Sequence, residues 1–246
     1  MITYNCPTCN ASYVPDVNCA ADGSDYNVLQ GGGANSSRGY TTGSSDNPLI
    51  EDGVYKLLKT NSDDSTQLEL WIPSKNNGLN ELSSANNAVG YLSFKLNAYT
   101  DSSSGFSMKF VDINSNVGDN RWKEGGVITE NFLTVSAPVT SGWITKTTKV
   151  TISGWGGTLK TVDVTDNDDN FTGWIDVKLI IELSAEADTV TVHYYIDGSY
   201  VRSASKPLTT LTNTISGIYV SGYTKEQGSG LMLDDVAFGC SFGKRS

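Results

Sequence analysis

Apolar and polar residues alternate with a period of two through much of this chain, the signature of strands that bury one face. Trp174-Ile-Asp-Val-Lys-Leu-Ile-Ile-Glu-Leu183 carries the pattern over most of its length. Thr189–Val201 reads as a strand, an Asp197-Gly198 turn and the start of a second strand. Gly217–Gly222 and Leu231–Gly239, separated by a polar loop, add two more. Upstream, Val89–Tyr99 alternates well and Phe106–Asp112 follows the turn segment Asp101-Ser-Ser-Ser-Gly105, so these two are expected to pair as a hairpin. Val54–Lys59 and Gln67–Ile72 are further strand candidates, the second stopped by Pro73, which cannot donate to a ladder. Lys75–Ala88 is polar and Asn-rich and reads as a long loop. Shorter runs lie at Val127–Ile128, Phe132–Val135, Trp143–Ile152 and Thr158–Val164.

No segment sustains a helical period, and no repeat of roughly 20–50 residues argues for a solenoid or propeller. About a dozen strands in one body favour two antiparallel sheets packed face to face. The expected fold class is therefore all-β, a two-sheet antiparallel jelly-roll sandwich over residues 54–246. Residues 1–53 form a separate N-terminal segment. It contains three of the four cysteines and is otherwise rich in Gly, Ser, Asn and Asp, including Gly31-Gly32-Gly33 and Thr42-Gly-Ser-Ser-Asp46. Too few apolar groups are present there to offset the entropy of ordering, so an extended arm or loop is expected.

Composition narrows the partners. Apolar residues make up 38% of the 246, and Ser, Thr, Asn and Gly fill the deficit. The formal net charge of −10 argues against phosphate backbones and anionic membrane surfaces. No run of about 20 apolar residues predicts a spanning helix. The opening Met-Ile-Thr-Tyr-Asn-Cys has neither a basic nor an apolar leader region, so no secretory signal is expected from it.

The strand Trp174–Leu183, the Tyr195-Ile-Asp-Gly198 turn and the ending Leu233-Asp-Asp-Val-Ala-Phe238, in that order, resemble the close of a laminin-G-like, concanavalin-A-like jelly roll. The resemblance covers roughly residues 89–240 and implies a recognition scaffold that also carries enzymes. It is a likeness of fold, and function has to come from a site. Jelly-roll glycoside hydrolases commonly place two carboxylates two residues apart on one strand, and Glu69 has no such partner. Asp176 and Glu182 share a strand and a face but lie roughly 20 Å apart at strand rise, too far for that chemistry. His193, the chain's one histidine, falls on the strand face opposite Val190, Val192 and Tyr194, so an outward position with a structural or solvent-facing role is expected. A non-catalytic protein follows.

Cys6-Pro-Thr-Cys9 resembles a zinc knuckle. With Cys19, and with Cys240 delivered back by the last strand, four thiolates would close a tetrahedral structural zinc site at about 2.3 Å per ligand. Disulfides among the same four cysteines, or free thiols, are the alternatives. Asp166, Asp168 and Asn170 cluster oxygen ligands suited to Ca²⁺, although Phe171 and Val177 stand where an EF-hand loop needs Gly and Glu; a solvated acidic turn is the plainer reading. No organic cofactor is indicated.

Of the five tryptophans, Trp155 in Ser153-Gly-Trp-Gly-Gly157 is the first candidate for sugar stacking, and Trp122 in Asn120-Arg-Trp-Lys123 the second. The whole resembles bacteriophage structural proteins: capsid decorations, head fibres and tail-associated adhesins. That implies a virion-surface protein, a host-surface glycan or other virion proteins as partners, and homo-oligomerisation for avidity. A secreted carbohydrate-binding module, a polysaccharide-degrading enzyme of the same fold, and a ligand-free cement protein are the alternatives.

Overall fold

The computed structural model describes residues 4–5, 12–13, 50–51, 54–58, 66–73, 88–99, 104–111, 131–137, 149–163, 173–184, 186–207, 217–224 and 230–241. All of their regular structure is strand. Two short strands, β1 (Tyr4–Asn5) and β2 (Ser12–Tyr13), pair only with each other. The other thirteen are β3 (Ile50–Glu51), β4 (Val54–Leu58), β5 (Thr66–Pro73), β6 (Ala88–Tyr99), β7 (Ser104–Val111), β8 (Leu133–Ala137), β9 (Lys149–Gly154), β10 (Gly157–Asp163), β11 (Ile175–Ser184), β12 (Thr189–Ile196), β13 (Ser199–Pro207), β14 (Gly217–Thr224) and β15 (Gly230–Ser241).

They form two antiparallel sheets. One has six strands in the order β10-β9-β8-β7-β14-β5; the other has seven in the order β13-β12-β11-β6-β15-β4-β3. The fold is the expected two-sheet antiparallel jelly-roll sandwich. Among the described residues, pairing within these two sheets starts at Ile50, four residues before the expected start of the body at Val54.

The expected hairpin of Val89–Tyr99 with Phe106–Asp112 does not form. β6 lies between β11 and β15 in the seven-stranded sheet, while β7 lies between β8 and β14 in the six-stranded one. The chain changes sheets between them. Alternation reports which face a strand buries and carries no information on which neighbour it pairs with.

The core fills the space between the sheets. Leu92, Phe94 and Leu96 of β6, Val177, Leu179 and Ile181 of β11, and Val190, Val192 and Tyr194 of β12 face Met108 and Phe110 of β7, Leu133 and Val135 of β8, and Ile218 and Val220 of β14. Phe110 stacks on Phe132 with centroids 4.1 Å apart. Gly222 permits the closest approach within the six-stranded sheet, because a Cβ there would lie 2.3 Å from both the Gly105 carbonyl and the Phe106 ring.

Tyr194 joins the layers. Its hydroxyl donates to the Phe132 carbonyl at 2.8 Å and accepts the Trp155 backbone N–H at 2.9 Å. Gly154 leaves room for the ring: a Cβ there would sit 2.6 Å from two of its carbons. At the sheet edge Arg202 of β13 donates to the Gly156 carbonyl in the β9–β10 turn, and Lys160 of β10 pairs with Asp197 in the β12–β13 turn.

Candidate functional site

Strand register divides the outer face of the seven-stranded sheet into rows. One row runs Ser203, His193, Ile180, Tyr91 across β13, β12, β11 and β6. Beside it runs Ser205, Thr191, Glu182, Val89, and on the other side Tyr200, Tyr195, Lys178, Ser93. A further row sets Asp176 beside Lys95 and Asp234.

These rows differ in exposure. Tyr91 and Ile180 form a small apolar cluster, with Val89 and Tyr195 packed against it. Diagonally across β11 and β12, His193 Nε2 lies 2.8 Å from Glu182 Oε2. His193 is 0% exposed and Glu182 6%. Of the two roles expected for His193, structural or solvent-facing, its burial excludes the second. It does point away from the core, as alternation requires, yet it is fully buried on that side. A carboxylate only accepts, so the bond needs the proton on Nε2; Nδ1 then has no hydrogen-bond partner. Thr191 and Ser205 share a hydroxyl–hydroxyl bond of 2.8 Å in the same region.

Toward the Asp197-Gly198 turn the face opens. Trp174, one residue before β11 and in phase with Asp176 and Lys178, is 45% exposed; Tyr200 is 47% exposed. Asp197 and Gly198 both have positive φ, 49° and 78°, as a two-residue primed turn requires. The turn is bonded to β11: the Asp197 N–H donates to the Asp176 carbonyl at 2.9 Å, and the Asp176 N–H donates to Asp197 Oδ1 at 3.1 Å. Lys95 is drawn to Asp235 at 2.5 Å and not to its strand neighbour Asp176. That hydrogen bond, with the charge of Asp235 and smaller contributions from Asp176 and Asp234, holds the Lys95 ammonium above its ordinary range. Among the described residues, no side chain bonds to the Asp176 carboxylate or to the Lys178 ammonium. Burial raises the Tyr195 phenol, with Tyr200 and Glu182 adding to the effect.

The open end thus presents two aromatic rings with a carboxylate and an ammonium between them. From Trp174 to the row of Tyr200 is four residues of strand, about 13 Å, and two strand spacings, about 10 Å. Such a spacing suits an extended ligand and not a single small ring. Aromatic faces cover apolar ligand surface, while unpaired Asp and Lys side chains read hydroxyls.

Trp155 is not a platform. It is 5% exposed and belongs to the core, and its Nε1–H donates to the Asn131 carbonyl at 3.0 Å. The glycine-flanked bend does exist, but it lets the chain close over Tyr194 and leaves the indole inside. Trp174 was legible as the better choice. It continues the polar phase of β11, Trp174-Asp176-Lys178, whereas Ile175, Val177 and Leu179 make the buried phase.

Trp122, the zinc-candidate cysteines Cys6, Cys9 and Cys19, and the calcium candidates Asp166, Asp168 and Asn170 lie outside the described residues. Cys240 lies within β15, opposite Gly90, instead of just after the last strand. The first long strand, β4, pairs with the other end of β15, from Gly230 to Leu233. Among the described residues, no group of three or more His, Cys, Asp or Glu is placed to hold a metal ion. No helix among the described residues is long and apolar enough to cross a membrane.

No family model matches the chain, and no curated protein matches it. Solved structures with a similar fold include lectin II from Ulex europaeus, 14% identical over 93% of this chain and all of that one, with a TM-score of 0.42. The Emp47p carbohydrate recognition domain is 11% identical over 77% of this chain and 84% of that one, with a TM-score of 0.39. The CBM2 module of the evolved Dit of Lactobacillus casei BL23 phage J-1 is 12% identical over 76% of each chain, with a TM-score of 0.35. Likenesses this distant carry no weight in assigning a ligand.

Proposed function

We propose that this protein is a non-catalytic recognition protein that contacts an extended glycan through the open end of its seven-stranded sheet. The observation that carries the reading is the half-exposed pair Trp174 and Tyr200 on one sheet face, with Asp176 and Lys178, unpaired among the described residues, between them. Exposed rings at fixed spacing favour a chain of sugars, and separate polar groups favour hydroxyl readout.

The reading extends to a virion-surface role, as a capsid decoration, head fibre or tail-associated protein. A polar, acidic chain with a net charge of −10 supports it, and many copies would turn weak contacts into avidity. A glycan array probed at high protein density tests the binding claim. Signals that fall at least tenfold in both Trp174→Ala and Tyr200→Ala are expected. A wild-type protein silent across neutral, amino and acidic glycans removes the claim, and release of reducing sugar from a bound polysaccharide would overturn the non-enzymatic reading.

A further inference from the structure

We infer that a one-residue bulge at Val201 builds Tyr200 into a pre-organised stacking ring, held by a T-shaped contact with Tyr195 and by a hydroxyl bond to Ser203. The inference deepens the glycan reading and rests on it for the ligand. Along β12, Tyr194 pairs with Arg202 and the next residue, Tyr195, pairs with Tyr200, so Val201 has no counterpart. Residues three apart on a regular strand face opposite sides of the sheet. Here the extra residue lets Tyr200 and Ser203 share the outer face, and the Tyr200 hydroxyl donates to Ser203 Oγ at 3.3 Å. The same slip leaves Arg202 pointing across the sandwich to the Gly156 carbonyl and Ala204 packed against the core.

The Tyr200 ring meets Tyr195 edge-on, with centroids 5.5 Å apart and planes at 64°. Tyr195 is itself held against the Tyr91–Ile180 cluster. Ser203 is the strand partner of His193, whose bond to Glu182 stiffens the floor beneath. Tyr200 therefore stays 47% exposed while its ring and hydroxyl both have protein partners. A ring fixed before binding gives up less side-chain entropy when a ligand stacks on it.

The test has two arms. In the first, without ligand, protein carrying ¹³C-labelled tyrosine is compared with Ser203→Ala by NMR. The Tyr200 ring signals of the wild type are expected to be displaced by Tyr195, and to move toward averaged positions in the variant while the melting temperature holds. In the second arm, array signals in Ser203→Ala and in Tyr200→Phe are each expected to fall about two- to fivefold, with the double variant no worse than either single one. Averaged Tyr200 signals in the wild type, or unchanged signals in Ser203→Ala, overturn the tether. Additive losses in the double variant overturn the hydroxyl's role in it. A wild type that binds no glycan removes the ligand role along with the glycan reading, while the NMR arm still decides the tether.

Discussion

Trp155 and Tyr194 are bonded across the sandwich: the backbone N–H of Trp155, in the β9–β10 turn of the six-stranded sheet, donates at 2.9 Å to the phenolic oxygen of Tyr194, in the seven-stranded sheet. The same hydroxyl satisfies the Phe132 carbonyl. One side chain thus closes two buried backbone groups that neither sheet's ladder reaches. Tyr194→Phe leaves both without a partner and is expected to cost about 2–4 kcal/mol, read from urea denaturation. Gly154→Ala should cost about 1–3 kcal/mol, because the new Cβ collides with the Tyr194 ring. A loss under 0.5 kcal/mol in both variants would contradict the lock.

Burial raises the Tyr194 phenol well above its ordinary value of 10.0. The folded form therefore keeps its proton where the unfolded form gives it up. Stability from this group is intact below pH 10 and declines as pH climbs from there toward the raised folded value. Wild-type stability should fall more steeply above pH 10 than that of Tyr194→Phe; parallel alkaline profiles for the two would refute the assignment.

Trp155→Ala should behave as a core truncation. A destabilisation of about 3–5 kcal/mol is expected, from the loss of a buried indole and its bond to Asn131. Trp174→Ala, at a half-exposed position, should stay within about 0.5 kcal/mol of wild type while reducing glycan signal. Thermal melts and the array together separate the two roles, and a strongly destabilised Trp174→Ala would count against Trp174 as a surface platform.

Glu182 and His193 are buried together on the face away from the core. Removing either partner breaks a buried bond to an ionisable group, so Glu182→Leu or His193→Leu should each cost about 3–5 kcal/mol. The double replacement should cost less than the sum of the two, because the loss of the shared bond is counted once. Strict additivity in a double-mutant cycle would show that the pair is not coupled.

The cysteine proposal is decided by composition. A site made from Cys6, Cys9, Cys19 and Cys240 predicts close to one equivalent of zinc per chain by elemental analysis, and partial unfolding on chelation. Less than half an equivalent rejects it, and a non-reduced peptide map showing cross-linked cysteines would establish disulfides instead.

Alternation with a period of two was enough to locate β6, β11, β12, β13, β14 and β15 within a few residues, and the Asp197-Gly198 turn was legible from its demand for positive φ. These are local properties: side-chain phase and backbone sterics are written in neighbouring residues. The site was partly legible. Trp174 announces itself by sharing the phase of Asp176 and Lys178, whereas Trp155 misleads because its glycine-rich bend looks the same whether the ring turns out or in.

By itself the sequence determined an all-β sandwich, the faces its strands bury and a formal net charge of −10. Tertiary structure alone decided that β6 and β7 part into different sheets, that Trp155 is core, and that His193 and Glu182 meet out of water. Each of these depends on which strands become neighbours and on what lies across the sheet. Contacts of that kind join residues far apart in the chain, and no local pattern encodes them.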